Sequence, residues 1–131
     1  MKVTQALNLN ILGLVAIGQG DLQQAIKRLT AGLELSQDLG DKRVIVQCLE
    51  GFAWLACWCK DLARAARLFA ANESLRALIG LPLPIADQSD NDHYLGMTRT
   101  QLDKVTLEAA WAEGKAMTME QAIGYALKPC T

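Results

Sequence analysis

Three of the four cysteines, Cys48, Cys57 and Cys59, cluster around Trp54 and Trp58 and come closest to a constellation that could do chemistry. A structural zinc site takes four Cys or His ligands in a tetrahedral array. On a helix, however, Cys57 and Cys59 point about 200° apart, because each residue turns the helix by about 100°. They can face one metal only if the helix has ended between them. Cys48 and Cys59 share a face and leave a marginal redox or metal idea. Cysteine is among the most buried residue types, so the thiols are expected in a core. Together with Cys130 they are too few and too irregularly spaced for a disulfide framework, and free thiols are expected in a reducing cytosol.

His93 is the only histidine, which excludes a multi-histidine metal site and weakens any Ser-His-Asp scheme. Asp87, Asp90 and Asp92 lie near it, but the stretch lacks the glycine turn and terminal glutamate of a calcium loop, so a solvated helix start is expected. Glu34, Glu50, Glu73, Glu108 and Glu113 supply carboxylates, none paired by spacing with a histidine or metal partner as general acid and base. No Gly-x-x-x-x-Gly-Lys-Ser/Thr occurs, so no P-loop is expected. The chain is read as non-enzymatic, with no catalytic residue, cofactor or metal assigned.

Binding chemistry is better represented. Lys60, Arg64 and Arg67 fall on one helical face and, with Arg76, form the densest basic run. Such a face suits a carboxylate-rich peptide or an anionic ligand. The alternative is a solvated outer face paired with Asp61 or Glu73. Trp58, near a hairpin turn, is expected to be exposed as a partner anchor, whereas Trp111 is expected to plug the core between the final helices.

The elements that must position these residues follow from composition and pattern. A chain of 131 residues makes one ordinary domain. Its 51% hydrophobic content with only 5% aromatic implies a core of Leu, Ala, Ile and Val, a composition suited to packed helices. A net charge of −1 offers no attraction for nucleic acid. No apolar run reaches the roughly 18 residues a membrane span requires, and the N-terminus lacks a secretory layout, so a cytoplasmic protein without a membrane partner is expected.

The strongest pattern is a near-repeat at an offset of 40 residues, from Asp21-Leu22 to Asp61-Leu62. The same offset aligns Leu9 with Leu49, Ala16 with Ala56, Ala25 with Ala65, Leu35 with Leu75 and Gly40 with Gly80. Each unit reads as a helical hairpin, repeat 1 over about 4–40 and repeat 2 over about 41–80. In the first turn Gly18-Gln19-Gly20 supplies a left-handed cap; in the second Lys60 stands in the glycine position, so a different turn is expected there. Leu81-Pro82-Leu83-Pro84 ends the periodicity and opens a linker over 81–86. A helical cap over 87–128 follows, with one helix from Asp87 or Ser89 to Val105, a short one from Leu107 that breaks at Gly114, and a last one opened by the Thr118/Gln121 capping-box spacing.

The stretch Ala63 to Ala71 with Leu75-Arg76, Ile79-Gly80, Pro82 and Pro84, the segment Ala109-Ala110-Trp111-Ala112-Glu113-Gly114, and the closing Tyr125-Ala126-Leu127 resemble the C-terminal helical-repeat tail of bacterial LuxR-type, MalT-like transcriptional regulators and related signal-transduction ATPases. The resemblance runs from about Leu7 onward, places Gly13, Ala16 and Ala25 in the small-residue slots of a tetratricopeptide pattern, and departs from the family at Asp103 and Leu107. It implies an all-α, tetratricopeptide-like superhelix acting as a sensor or scaffold, as a fragment or a stand-alone relative, without the ATPase and DNA-binding modules.

The expectation is therefore a single helical-repeat domain over 1–131 that binds a protein or peptide partner, a second copy of itself being one candidate, as part of a bacterial signalling or transcription-regulatory system. The first helix is apolar on most faces, so Leu7, Ile11 and Leu14 are the expected docking residues, joined by Trp58, Arg64 and Arg67. The alternative is a small-molecule-sensing regulatory domain that lacks its effector, which would show as a deep pocket with converging polar groups.

Overall fold

A computed structural model of the protein describes residues 2–129. Among them are seven helices and no strand: α1 (Lys2–Gly18), α2 (Leu22–Leu39), α3 (Lys42–Trp58), α4 (Leu62–Ile79), α5 (Ile85–Gln101), α6 (Lys104–Lys115) and α7 (Met119–Ala126). None of them is long and apolar enough to cross a membrane.

The first four helices form two hairpins whose boundaries repeat at the offset seen in the sequence. Local chemistry sets those boundaries. Asp21 accepts the Gln24 N–H at 3.2 Å to start α2, and Asp61 accepts the Arg64 N–H at 3.2 Å to start α4. Gly40 and Gly80 close the same helices in the left-handed region, at φ 66° and 69°. Inside each hairpin, small residues let the helices approach. A Cβ on Gly13 would sit 2.6 Å from Leu29 Cγ, so α1 and α2 could not meet there around a larger residue.

The turn at Lys60 corrects the sequence expectation. Lys60 takes φ 64° where Gly20 takes 76°, and the turn bonds match: Asp21 N–H to Ala16 O at 2.9 Å, Asp61 N–H to Ala56 O at 3.0 Å. Stacking of the two hairpins demands the same turn from both, and the lysine adopts a conformation that costs an L-residue about 1–2 kcal/mol. Lys60→Gly is therefore expected to stabilise the protein by about 0.5–1 kcal/mol, after the added chain entropy of glycine is subtracted. A urea midpoint that rises at unchanged slope is the expected result; a lower midpoint would mean that the lysine side chain contributes more than its backbone costs.

The two inner helices are enclosed most fully. α3 buries Val46, Leu49, Ala53 and Cys57 among thirteen residues, whereas α1 buries only Ala6, Asn10, Gly13, Ala16 and Ile17. α3 lies between the first hairpin and α4, with α5 and α7 also against it; the main contacts of α1 among the described residues are with α2 and α3.

The cap departs from the repeat. α5 starts at Ile85, within the expected linker, and ends at Gln101, because Leu102 turns extended and Asp103 accepts the Thr106 N–H at 3.0 Å to begin α6 at Lys104. α5 and α6 do not pair along their lengths as α1 and α2 do; α6 lies on α4. Gly114 does not break α6. It lies inside the helix where α6 presses on the α4 backbone, and a Cβ there would meet the Arg67 carbonyl oxygen and stand 2.8 Å from Ala70 Cβ. The last helix is as expected: the Thr118 hydroxyl accepts the Gln121 N–H at 3.1 Å and the Gln121 side chain accepts the Thr118 N–H at 3.0 Å.

Candidate functional site

The expected docking residues of α1 separate into two groups. Leu7 and Leu14 are half-buried against the core, whereas Ile11 is 55% exposed, with Leu12 at 45% and Val15 at 49% beside it. Thr4, Gln5, Asn8 and Gln19 surround these three with exposed polar residues. The repeat supplies the comparison that gives the patch meaning. The residues of α3 at the same offset are Gly51, Phe52 and Leu55, and all three are buried. A Cβ on Gly51 would meet Leu29 Cδ2 at 2.8 Å and the Asn10 side chain at 3.0 Å, and Phe52 and Leu55 line a gap with Ile26 and Thr30 of α2. In the second hairpin this face is where the first hairpin stacks. In the first hairpin the same face, equally apolar, is covered by nothing among the described residues.

The basic run is not a docking face. Arg64 is buried, and its Nη2 donates to the carbonyls of Tyr125, Ala126 and Lys128 at 3.1, 2.9 and 2.6 Å, while Nη1 reaches Pro129 O at 3.4 Å. It satisfies the orphan carbonyls at the C-terminal end of α7, which corrects the expectation that it faces a partner or solvent. Arg67 is half-buried and equally engaged: Nε donates to Glu113 at 2.9 Å and Nη1 to the Tyr125 hydroxyl at 3.0 Å. Of the three, only Lys60 is exposed. The structure separates the three: Arg64 and Arg67 lie on a side of α4 that α6 and α7, far along the chain, cover, whereas Lys60 lies in the turn before α4 and lines a hollow with His93, Tyr94 and Met97 of α5.

Trp58 is 42% exposed, and its indole N–H donates to the Tyr94 hydroxyl at 2.9 Å. Tyr94 stacks on Trp54 with ring centroids 5.2 Å apart, which pins α5 to α3. Trp111 is half-buried, with the Arg99 guanidinium 5.8 Å from its ring centroid. Cys48 and Cys57 are buried; desolvation pushes the Cys48 thiol up to about 11 and raises that of Cys57, which disfavours a reactive thiolate. His93 is exposed in the middle of α5, not at its start, edge-on to Tyr94. No group of three or more His, Cys, Asp or Glu is placed to hold a metal among the described residues. Cys130 lies outside them.

A second feature was not singled out from the sequence. Glu50 of α3 and Arg76 of α4 are both buried and joined at 2.9 Å, and Arg76 Nε donates to Asn72 Oδ1 at 2.9 Å. Asn72 in turn donates to the Val46 carbonyl at 2.6 Å. Burial pushes the Glu50 carboxyl up to about 7; the Arg76 guanidinium opposes this and Asp87 of α5 adds to it. Arg76 and Asn72 also line a cleft of about 380 Å³ between α4, the proline linker, α5 and α6. A signal for the pair was present: Glu50 interrupts the apolar run Val46, Leu49, Ala53, and its counterpart in the first repeat, Asn10, is also polar and buried.

The fold and these two features define an all-α protein built on a duplicated helical hairpin, with one uncovered stacking face and one amphipathic cleft. Comparison with protein-family models, with curated proteins and with solved structures finds no match.

Proposed function

We propose that this protein is a non-enzymatic protein-interaction module, of the kind the resemblance to tetratricopeptide-like regulator tails implies, and that it docks through the outer face of α1. The observation that carries this reading is the exposure of Ile11, Leu12 and Val15 at positions whose counterparts, Gly51, Phe52 and Leu55, are buried by hairpin stacking. A face with that composition gains stability when a second apolar helical surface covers it, at roughly 25 cal/mol for each Å² removed from water. A second copy of the chain provides such a surface. Head-to-tail stacking would need the open side of the second hairpin, but α5, α6 and α7 pack on that hairpin. Self-association therefore brings α1 against α1 about a two-fold axis, an arrangement that closes on itself without forming filaments.

The double substitution Ile11→Glu with Val15→Glu tests this. It places two carboxylates in the centre of the face and is expected to raise the dimer dissociation constant at least 100-fold while leaving the helical circular dichroism unchanged. Light scattering over a dilution series reads the result. A wild-type chain that stays monomeric at high concentration would overturn the reading.

A further inference from the structure

The cleft between α4, the linker, α5 and α6 has the attributes of a small-ligand site and is independent of the α1 face. Its volume, about 380 Å³, lies in the range of about 300–1,000 Å³ that such sites occupy. One part of the wall is apolar, from Phe69, Leu83, Leu95 and Trp111, and polar groups of two helices, Asn72, Glu73 and Arg76 of α4 with Asn91 of α5, line the same space. We propose that the cleft binds a small carboxylic acid with an apolar body, its carboxylate held by the Arg76 guanidinium and the Asn91 amide and its body lying against Leu95 and Trp111.

The hydrogen-bond inventory supports an acidic head group. Arg76 carries five N–H donors, of which Nε is used by Asn72, one Nη2 donor by Glu50, and one Nη1 donor by the Leu81 carbonyl at a long 3.4 Å. A carboxylate accepts the remaining donors in the fork geometry that guanidinium favours. The side chain of Asn91 makes no hydrogen bond among the described residues, so its amide is available to a ligand. The surrounding charges do not forbid an anion. Glu73 at the cleft is paired with Lys115 at 3.7 Å, and the Glu50 carboxylate, whose pKa burial and Asp87 raise to about 7, only partly neutralises Arg76 at neutral pH. An amine would face a fixed guanidinium, and a neutral alcohol offers one uncharged oxygen in place of the paired charged oxygens of a carboxylate.

Calorimetric titration of the full chain with octanoate, octylamine and octanol discriminates between head groups at matched chain length. Octanoate is expected to bind one-to-one and at least tenfold more tightly than the other two, with a change in Trp111 emission that is lost in Trp111→Phe. Asn91→Asp sets a carboxylate in the cleft on a half-buried surface of α5; it is expected to weaken octanoate at least tenfold with little change in melting temperature. Leu95→Trp fills the cleft and is expected to abolish binding. Octanoate that binds no more tightly than octanol, octylamine that binds more tightly than either, or an unchanged affinity in Asn91→Asp would each overturn the proposal.

Discussion

Replacing Arg76 by methionine is expected to cost about 3–5 kcal/mol of stability at pH 8 or above and much less at pH 5. The pH dependence follows from Glu50. Its carboxyl titrates near 4.5 when unfolded and near 7 when folded, because burial outweighs the attraction of Arg76. Between those values the native state holds a proton that the unfolded chain has released. Wild-type stability from this group is therefore full below about pH 4.5, falls by roughly 3 kcal/mol as the pH rises to about 7, and is level above it. Without the guanidinium, burial and Asp87 act unopposed, the native carboxyl holds its proton to higher pH, and the decline continues past neutrality. At pH 5 Arg76→Met loses hydrogen bonds to Asn72, to the Leu81 carbonyl and to a neutral Glu50. Urea unfolding at several pH values reads the difference. Glu50→Gln removes the titrating group, so its stability is expected to be flat between pH 4.5 and 7 apart from other carboxylates. A cost for Arg76→Met that is the same at pH 5 and pH 8 would sink the account.

The second large effect is expected at Gly114. Alanine there gains about 1 kcal/mol of helix propensity, yet its Cβ meets the Arg67 carbonyl oxygen and comes within 2.8 Å of Ala70 Cβ. Neither obstacle is the end of a flexible side chain, so α6 must move off α4 as a unit. That movement strains the Arg67–Glu113 pair at 2.9 Å and the Lys115–Glu73 pair at 3.7 Å. A net loss of about 3 kcal/mol is expected, at the upper end of what overpacking costs. Gly96→Ala and Gly124→Ala are the controls: nothing stands within 4 Å of a Cβ at either, and each is expected to be neutral or to stabilise by up to about 1 kcal/mol. If Gly114→Ala behaves like these two, the close approach of α6 to α4 is not as described.

Much of the architecture was legible because its causes are local. Asp21, Asp61 and Thr118 cap helices through bonds to residues three positions on, and the hydrophobic period of each helix depends on neighbours one turn away. The places where expectation and structure part are places where the cause is distant. Gly114 looked like a breaker because a helical glycine is costly; contact with α4 makes it a requirement. Lys60 looked like a different turn because lysine avoids positive φ; the stacking of two hairpins imposes the turn regardless. The cap does not continue the hairpin pattern because Leu102 and Asp103 end α5 in an extended step, and α6 then finds α4 before it finds α5.

For the candidate sites the division is sharper. By itself the sequence determined the helices, the two stacked hairpins, the apolar character of α1 and the face shared by Arg64 and Arg67, since periodicity and capping are properties of short segments. Only the tertiary structure decided which side chains those faces show to solvent. It buried Arg64 under the end of α7, joined Glu50 to Arg76 across two helices, opened a cleft beside that pair, and left Ile11, Leu12 and Val15 uncovered where their counterparts are enclosed. The physical reason is that burial belongs to a pair of surfaces, and here the second surface comes from residues far along the chain.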